Sequence, residues 1–316
     1  MSPPKHIKLN NGIELATIGL GTYRSQPGQV EEAVKAAIDI GYRHFDCASI
    51  YGNEKEVGNA INEKIASGTV KREELFITSK LWNNFHVKAA VVPKLKESLE
   101  AFNLDYLDLY LVHWPYAFKE DGPLLPTGNV KEFFSDIDYL ETWQGMEEAV
   151  KLGLTKSIGV SNFNAEQIDR LVKNCTVKPV VNQVECNPNL NQKKLIKFCQ
   201  DREVVVVGYC PLGRSEYVGR PGFPEPTIFD AKVAEIGKKF NKTSAQVVLN
   251  YIINNLGVVV IPKSVSPSRI KENFEVFDFV LDCQDVAYLD SCNKNQRVCP
   301  SSDFKDHKYY SFNAEF

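Results

Sequence analysis

Nowhere in the 316 residues is there an apolar run approaching the roughly 18 uncharged residues of a membrane span. The opening Met1-Ser2-Pro3-Pro4-Lys5-His6 also lacks the apolar core of a secretory signal, so a cytoplasmic location is the simplest expectation. No lysine- or arginine-rich run stands out, and the formal net charge of -3 gives no general attraction to nucleic acid or anionic membrane. Any basic site must be local. The eight cysteines (Cys47, Cys175, Cys186, Cys199, Cys210, Cys283, Cys292 and Cys299) contain no Cys-x-x-Cys pair and no Cys/His cluster at zinc spacing. Buried reduced thiols are therefore favoured over a metal or disulfide framework, and no metal is expected. Asn174 and Asn241 head N-x-[ST] matches, expected to stay unmodified in a chain outside the secretory pathway. No low-complexity linker divides the chain, and Gly19-Leu20-Gly21 lacks the third glycine of a dinucleotide fingerprint, so an open-sheet nucleotide fold is not indicated there.

What is present is a chain 43% hydrophobic and 24% charged, long enough to bury a large core as one big domain or two smaller ones. The segment from His6 to Leu15 alternates around an Asn-Gly turn, a hairpin signal, and reads as a cap over residues 1–16. Eight strand-like runs follow, around Ile18 to Thr22, His44 to Cys47, Leu75 to Leu81, Leu107 to His113, Ser157 to Ser161, Val180 to Val184, Val204 to Tyr209 and Val258 to Lys263. Helical periods separate them: Val30, Val34 and Ile38 share a face, as do Val57, Ala60, Ile61 and Ile65, and Asn164 with Gln167 forms a capping-box pattern. Eight alternations of strand then helix predict a closed parallel (β/α)₈ barrel of the α/β class, one domain over residues 1–316.

Two stretches break the rhythm, 115–138 and 211–227, both following strand C-termini and both longer than an ordinary strand-to-helix loop. They are expected to stand over the barrel mouth, the alternative being floppy surface insertions. The tail 299–316 carries Phe304, Tyr309, Tyr310, Phe312 and Phe316, too aromatic for a disordered end. Asp46, Lys80 and His113 each close a separate apolar run, and Tyr51 follows Asp46 by one short loop. Barrel enzymes keep their chemistry at strand C-termini. A phenol beside an amine, a carboxylate and an imidazole is a plausible proton donor, with a nearby cation expected to lower the tyrosine pKa. Singly, each has a structural reading: a buried ion pair, a rim aromatic, a satisfied core histidine. Their convergence on one mouth favours catalysis.

Four longer stretches stand in order along the chain: Gly41-Tyr42-Arg43-His44-Phe45-Asp46 through Tyr51, Asn53, Glu54 and Val57; Leu107 through His113-Trp114-Pro115; Ile158-Gly159-Val160-Ser161-Asn162-Phe163; and Ile261-Pro262-Lys263-Ser264. They carry a resemblance, essentially end to end, to the aldo-keto reductase superfamily, close to aldose reductases and hydroxysteroid dehydrogenases. It implies NADPH-dependent reduction of aldehydes and some ketones by a monomer, with Tyr51 as general acid, Lys80 lowering its pKa, Asp46 holding Lys80 and His113 orienting the carbonyl. It implies an extended cofactor across the barrel top, contacted by Gly21, Thr22, Tyr23 and Asp46. Ser161, Asn162 and Gln183 would bind its amide, and Tyr209 would stack on the ring beside Pro211 and Leu212. Lys263, Ser264, Val265 and Arg269 would take the 2′-phosphate, and Glu272 with Asn273 the adenine. Glu216 with Arg24 or Lys263 would close a belt over the pyrophosphate, with Arg214 replacing the small polar residue common in relatives. Tyr23, Trp82, His113, Trp114 and Cys299 would contact a small carbonyl substrate. The resemblance gives no subclass: tyrosine at position 23 is typical of steroid-active relatives, whereas Cys299 matches aldose reductases. Cys299 reads either as a redox-sensitive rim thiol or as inert packing. A Schiff-base lysine at Lys80 or Lys263, and a non-catalytic cofactor-binding or structural role, are the competing expectations.

Overall fold

Residues 5–26 and 28–316 are described by a computed structural model; residues 1–4 of the expected cap lie outside them. His6–Lys8 (β1) and Glu14–Ala16 (β2) pair antiparallel, and Gly12 takes the positive φ of 90° that an Asn-Gly turn requires. Leu9 and Leu15 are buried in one cluster with Phe76, Leu109, Leu111, Val181, Val205, Val207 and Val259 from the barrel interior. Asn10 Nδ2 donates to the Pro179 and Glu203 carbonyls at 2.9 and 3.1 Å, and Asn11 Nδ2 to Ser157 Oγ at 2.9 Å. Those residues immediately precede barrel strands, so the hairpin plugs the N-terminal end.

Each expected strand run forms a strand. They are Leu20–Gly21 (β3), His44–Asp46 (β4), Phe76–Leu81 (β5) and Leu109–Val112 (β6); then, after the small hairpin Ala117–Phe118 (β7) and Phe134–Ser135 (β8), Ile158–Ser161 (β9), Val181–Glu185 (β10), Val205–Tyr209 (β11) and Val259–Val260 (β12). The parallel sheet runs β3-β4-β5-β6-β9-β10-β11-β12. Its ends meet: Gly19 N–H donates to the Val260 carbonyl at 2.8 Å, Gly21 N–H to Pro262 at 3.1 Å and Val260 N–H to Thr17 at 2.9 Å. The sheet is thereby closed into a barrel. A Cβ on Gly21 would stand 2.9 Å from the Ile261 carbonyl, so this seam needs the bare backbone.

Helices α1 (Gln29–Ile40), α2 (Glu54–Ala66), α3 (Lys88–Phe102), α4 (Tyr139–Lys151), α5 (Ala165–Asn174), α6 (Lys193–Gln200), α7 (Ala231–Phe240), α8 (Ser244–Asn254), α9 (Pro267–Phe274) and α10 (Cys283–Ser291) surround the strands. Val30, Val34 and Ile38 are buried as the period predicts, and so are Val57, Ala60 and Ile61, while Ile65 is only half-buried near the end of α2. Each fully buried Val or Ile stabilises by about 1.5–3 kcal/mol. The α5 capping box forms, with Asn164 Oδ1 accepting from Gln167 N–H at 2.9 Å and Gln167 Oε1 from Asn164 N–H at 3.1 Å.

The first long loop and the tail are built rather than floppy. The first carries β7 and β8, and the tail is tied to it: the His307 Nε2 nitrogen lies 3.2 and 3.1 Å from the Ala117 and Ser135 carbonyls, and Tyr309 O–H donates to Asp138 at 2.9 Å. Gln167 Nε2 also donates to the Tyr309 carbonyl, at 2.9 Å. Trp82 Nε1–H donates to the Leu124 carbonyl at 2.7 Å, fixing the first loop over the mouth.

Candidate active site

Alternation along β5 turns Phe76, Thr78 and Lys80 to the barrel interior, and the β4–β5 register sets Asp46 against Thr78, one pleat below Lys80. Lys80 is buried completely. Its Nζ donates to Asp46 Oδ1 at 2.7 Å, to the Cys47 carbonyl at 2.7 Å and to Tyr51 Oη at 3.3 Å, which uses all three ammonium protons. Gln183 Nε2 donates to the other Asp46 oxygen at 2.7 Å, so both carboxylate oxygens are engaged. The Tyr51 ring lies 5.9 Å edge-on from His113 and 4.9 Å from Tyr23, and His113 lies 5.0 Å from Trp82. The structure brings Asp46, Tyr51, Lys80 and His113 together at one mouth.

Burial, reinforced by the Lys80 charge, pushes His113 well below its ordinary pKa, so the ring is neutral and its buried Nδ1 has no hydrogen-bond partner among the described residues. One expectation is corrected. Burial, then the Asp46 charge, hold the Tyr51 phenol well above its ordinary value and outweigh the Lys80 ammonium 3.3 Å away. The reason is that the ammonium is already neutralised by a carboxylate at 2.7 Å, whereas the phenol has lost its water. Tyr51 is a held proton, not a standing phenolate.

The neighbouring strand ends form a polar shelf. Ser161 Oγ donates to the Gln183 carbonyl at 2.8 Å, Asn162 Nδ2 to the His113 carbonyl at 3.0 Å, and Tyr209 O–H to Asn162 Oδ1 at 2.8 Å. Asn162 sits at φ 63°, the left-handed region that asparagine tolerates best among side-chain residues. Thr22 is occupied internally, its Oγ1 donating to the Asp46 carbonyl at 2.9 Å, beside Gly21 at the seam. Across the mouth, Pro211 and Leu212 follow Tyr209. Glu216 accepts from Arg214 Nη2 at 2.8 Å and lies 3.6 Å from Arg24, so its ion-pair partners are two arginines and not Lys263.

At the C-terminal side of β12, Lys263 is exposed and reaches the Arg24 carbonyl at 3.5 Å; it meets no carboxylate in ion-pair range among the described residues. Arg269, exposed on α9, makes no side-chain hydrogen bond or ion pair among them either, and the Asn273 carboxamide is equally unengaged. Ser264 and Val265 lie between the cations, while Glu272 accepts from Thr243 Oγ1 at 2.7 Å. Two unpaired cations with a hydroxyl and a free carboxamide fit a phosphorylated, base-bearing ligand.

The opposite wall is apolar. Tyr23, Leu124 and Leu125 are exposed, Trp82 is buried, and Trp114 packs 5.3 Å from Tyr116 and 5.8 Å from Phe312 of the tail. Cys299 lies at the same rim, beside Cys210 and Arg214. Sequence reasoning passed over Glu185, which is buried at the end of β10 and accepts from the Val298 and Cys299 N–H groups at 2.8 Å each. The signal was available, because Glu185 closes an apolar run just as Asp46, Lys80 and His113 do.

Residues 15–294 match the model of the aldo/keto reductase family. The chain is 46% identical over 304 residues to aldo-keto reductase family 1 member A1-A of Danio rerio, covering 95% of this chain and 93% of that one. It is 45% identical over 317 residues to aldo-keto reductase family 1 member D1 of Mus musculus, covering 98% and 97%. An aldo-keto reductase of Bombyx mori, solved in complex with NADP, superposes with TM-score 0.90 at 44% identity over 98% of this chain and 99% of that one. The aldose reductase of Schistosoma japonicum superposes at 0.89 with 40% identity over the full length of both chains. On sequence and on architecture alike, this chain belongs to the aldo/keto reductase family.

Proposed function

We propose that the protein reduces aldehydes and some ketones to alcohols with NADPH, with Tyr51 as the proton donor. The observation that carries this reading is the Tyr51 hydroxyl, held protonated by burial and 3.3 Å from an ammonium that the Asp46 carboxylate fixes in place. Bound NADPH supplies the hydride. The chain's own residues do the rest: Tyr51 gives its proton to the carbonyl oxygen, the Lys80 N–H facing it stabilises the phenolate left behind, and neutral His113 orients the carbonyl by a hydrogen bond. Ser161, Asn162 and Gln183 would hold the nicotinamide amide, Tyr209 its face, Lys263 and Arg269 the 2′-phosphate, and the Glu216–Arg24 pair the pyrophosphate span. We place the protein in the cytoplasm as a monomer acting on small molecules, without nucleic acid or membrane; no helix among the described residues is long and apolar enough to cross a bilayer.

A Schiff-base mechanism is disfavoured, since Lys80 is paired to a buried carboxylate rather than freed as an amine. A ketosteroid-directed reading draws on Tyr23 and the exposed apolar rim. NADPH oxidation measured against an aromatic aldehyde, an aldose, a long-chain enal, a retinal and a ketosteroid separates these readings, and absence of turnover with NADPH bound points to a non-catalytic role. Tyr51→Phe tests the acid: turnover falls by about 10²–10⁴-fold while NADPH affinity is nearly unchanged. An affinity loss as large as the rate loss overturns the assignment.

A further inference from the structure

Cys210 directly follows Tyr209 at the end of β11, and Cys299 opens the tail, 89 residues later. Their Sγ atoms are 3.9 Å apart, and Arg214 Nη1 donates to Cys299 Sγ at 3.7 Å. The approach is enforced, because both carboxylate oxygens of buried Glu185 bind the Val298 and Cys299 N–H groups and pin this part of the tail to the end of β10. Neither cysteine is fully buried, unlike Cys47, Cys186 and Cys199, and no other cysteine has a second thiol in contact among the described residues.

We propose that Cys210 and Cys299 are an intramolecular redox pair, converted by a peroxide into a disulfide that fastens the 211–227 loop to the tail. The pair is asymmetric. The Arg214 guanidinium donates to Cys299 Sγ at 3.7 Å and makes no hydrogen bond to Cys210, so its charge favours the thiolate at Cys299. Cys299 is therefore the attacking thiolate and Cys210 the resolving thiol. The Cys299 sulfur attacks one oxygen of hydrogen peroxide; an S–O bond forms, the O–O bond breaks, and the departing hydroxide is protonated to water. The Cys210 sulfur then attacks the Cys299 sulfur, the S–S bond forms, and the S–O bond breaks to release a second water carrying the Cys210 proton. Two thiols are oxidised and one peroxide is reduced to two waters. The sulfurs have to close from 3.9 Å to about 2.05 Å, a movement on the scale of a side-chain rotation with a small loop shift.

The bond would join the segment running from Tyr209 to the Glu216–Arg24 pair onto the tail. Its effect on cofactor exchange rests on the NADPH reading above; its formation does not. The test treats the full chain with one equivalent of hydrogen peroxide, blocks remaining thiols and maps peptides without reduction. The expected result is a peptide pair joining positions 210 and 299, two hydrogens lighter than the sum of the free peptides and separated again by dithiothreitol. In Cys210→Ser the Cys299 sulfenic acid persists and is captured by dimedone in excess over the unsubstituted protein. Full alkylation of Cys210 after oxidation of Cys299, equal dimedone capture in both proteins, or a disulfide only between chains through exposed Cys283 overturns the pair. NADPH release should be several-fold slower from the oxidised form, and an unchanged rate overturns the fastening role. A disulfide formed in a protein that binds NADPH in neither state refutes the cofactor reading and leaves the pair standing.

Discussion

Replacing Lys80 by methionine keeps most of the side-chain volume and removes only the ammonium, so its cost reports the buried charge pair rather than a cavity. Afterwards Asp46 Oδ1 has lost its partner, Oδ2 keeps only the Gln183 N–H at 2.7 Å, and the Cys47 carbonyl has lost a donor at 2.7 Å. A carboxylate 2% exposed is then left without a counter-charge. Removing one member of such a pair costs about 3–5 kcal/mol. Adding Asp46→Asn removes the stranded charge, and the double variant should recover about 1–3 kcal/mol relative to the sum of the two single losses. Urea unfolding of the cofactor-free protein at neutral pH, with constant slopes across the four proteins of the cycle, measures this directly. A loss below about 1 kcal/mol for Lys80→Met, or strict additivity in the cycle, would show that Asp46 and Lys80 do not depend on each other and would refute the argument that the Asp46 carboxylate fixes the ammonium in place.

In the proposed role, Arg269→Ala removes a charge-assisted contact with the 2′-phosphate, worth about 1.5–3 kcal/mol; the NADPH dissociation constant should rise roughly 10–100-fold while NADH is hardly affected, as fluorescence titration can read. Equal loss for both cofactors would place Arg269 elsewhere on the ligand. Gly58→Ala puts a Cβ 2.5 Å from the Phe102 carbonyl between α2 and α3 and should cost about 1–3 kcal/mol in the same urea assay; a neutral variant would show that the two helices separate freely. Burial depresses four of the five histidines: His44 to about 4, His86 to about 3, and His113 and His307 in the same direction. The unfolded chain therefore binds more protons, and this stability is complete above the unfolded value of about 6.5 and lost as pH falls through the folded values. Glu54 and Glu185, whose carboxyls burial raises, oppose it, but four histidines outnumber two carboxyls, so the net expectation is a loss of stability as pH falls from 6.5 to 5. A urea midpoint that rises from pH 6.5 to pH 5 would contradict this.

Much of the architecture is written in short-range pattern. The strand runs, the helical faces of α1 and α2 and the Asn164–Gln167 cap each depend on residues within one element, and strand ends expose the tetrad because a parallel barrel aims every C-terminus at one mouth. What sequence leaves out depends on distance. Whether Lys80 lowers the Tyr51 pKa turns on a competition between a 2.7 Å ion pair and desolvation, and residue order carries neither quantity. The Cys210–Cys299 approach likewise depends on a buried glutamate holding the tail. That Arg214 pairs with Glu216 also depends on the reach of two side chains, which residue order does not carry.

The seam between β3 and β12 has a consequence for biosynthesis. Gly21 meets Lys263, so the contacts that close the ring join positions some 240 residues apart. A nascent chain can stack β3 through β11 in order as it emerges, yet it carries two unpaired strand edges until β12 has cleared the ribosome. Ring closure is thus a late event that nearly the whole chain must await, and a translation pause before position 260 would hold the protein at its most aggregation-prone stage.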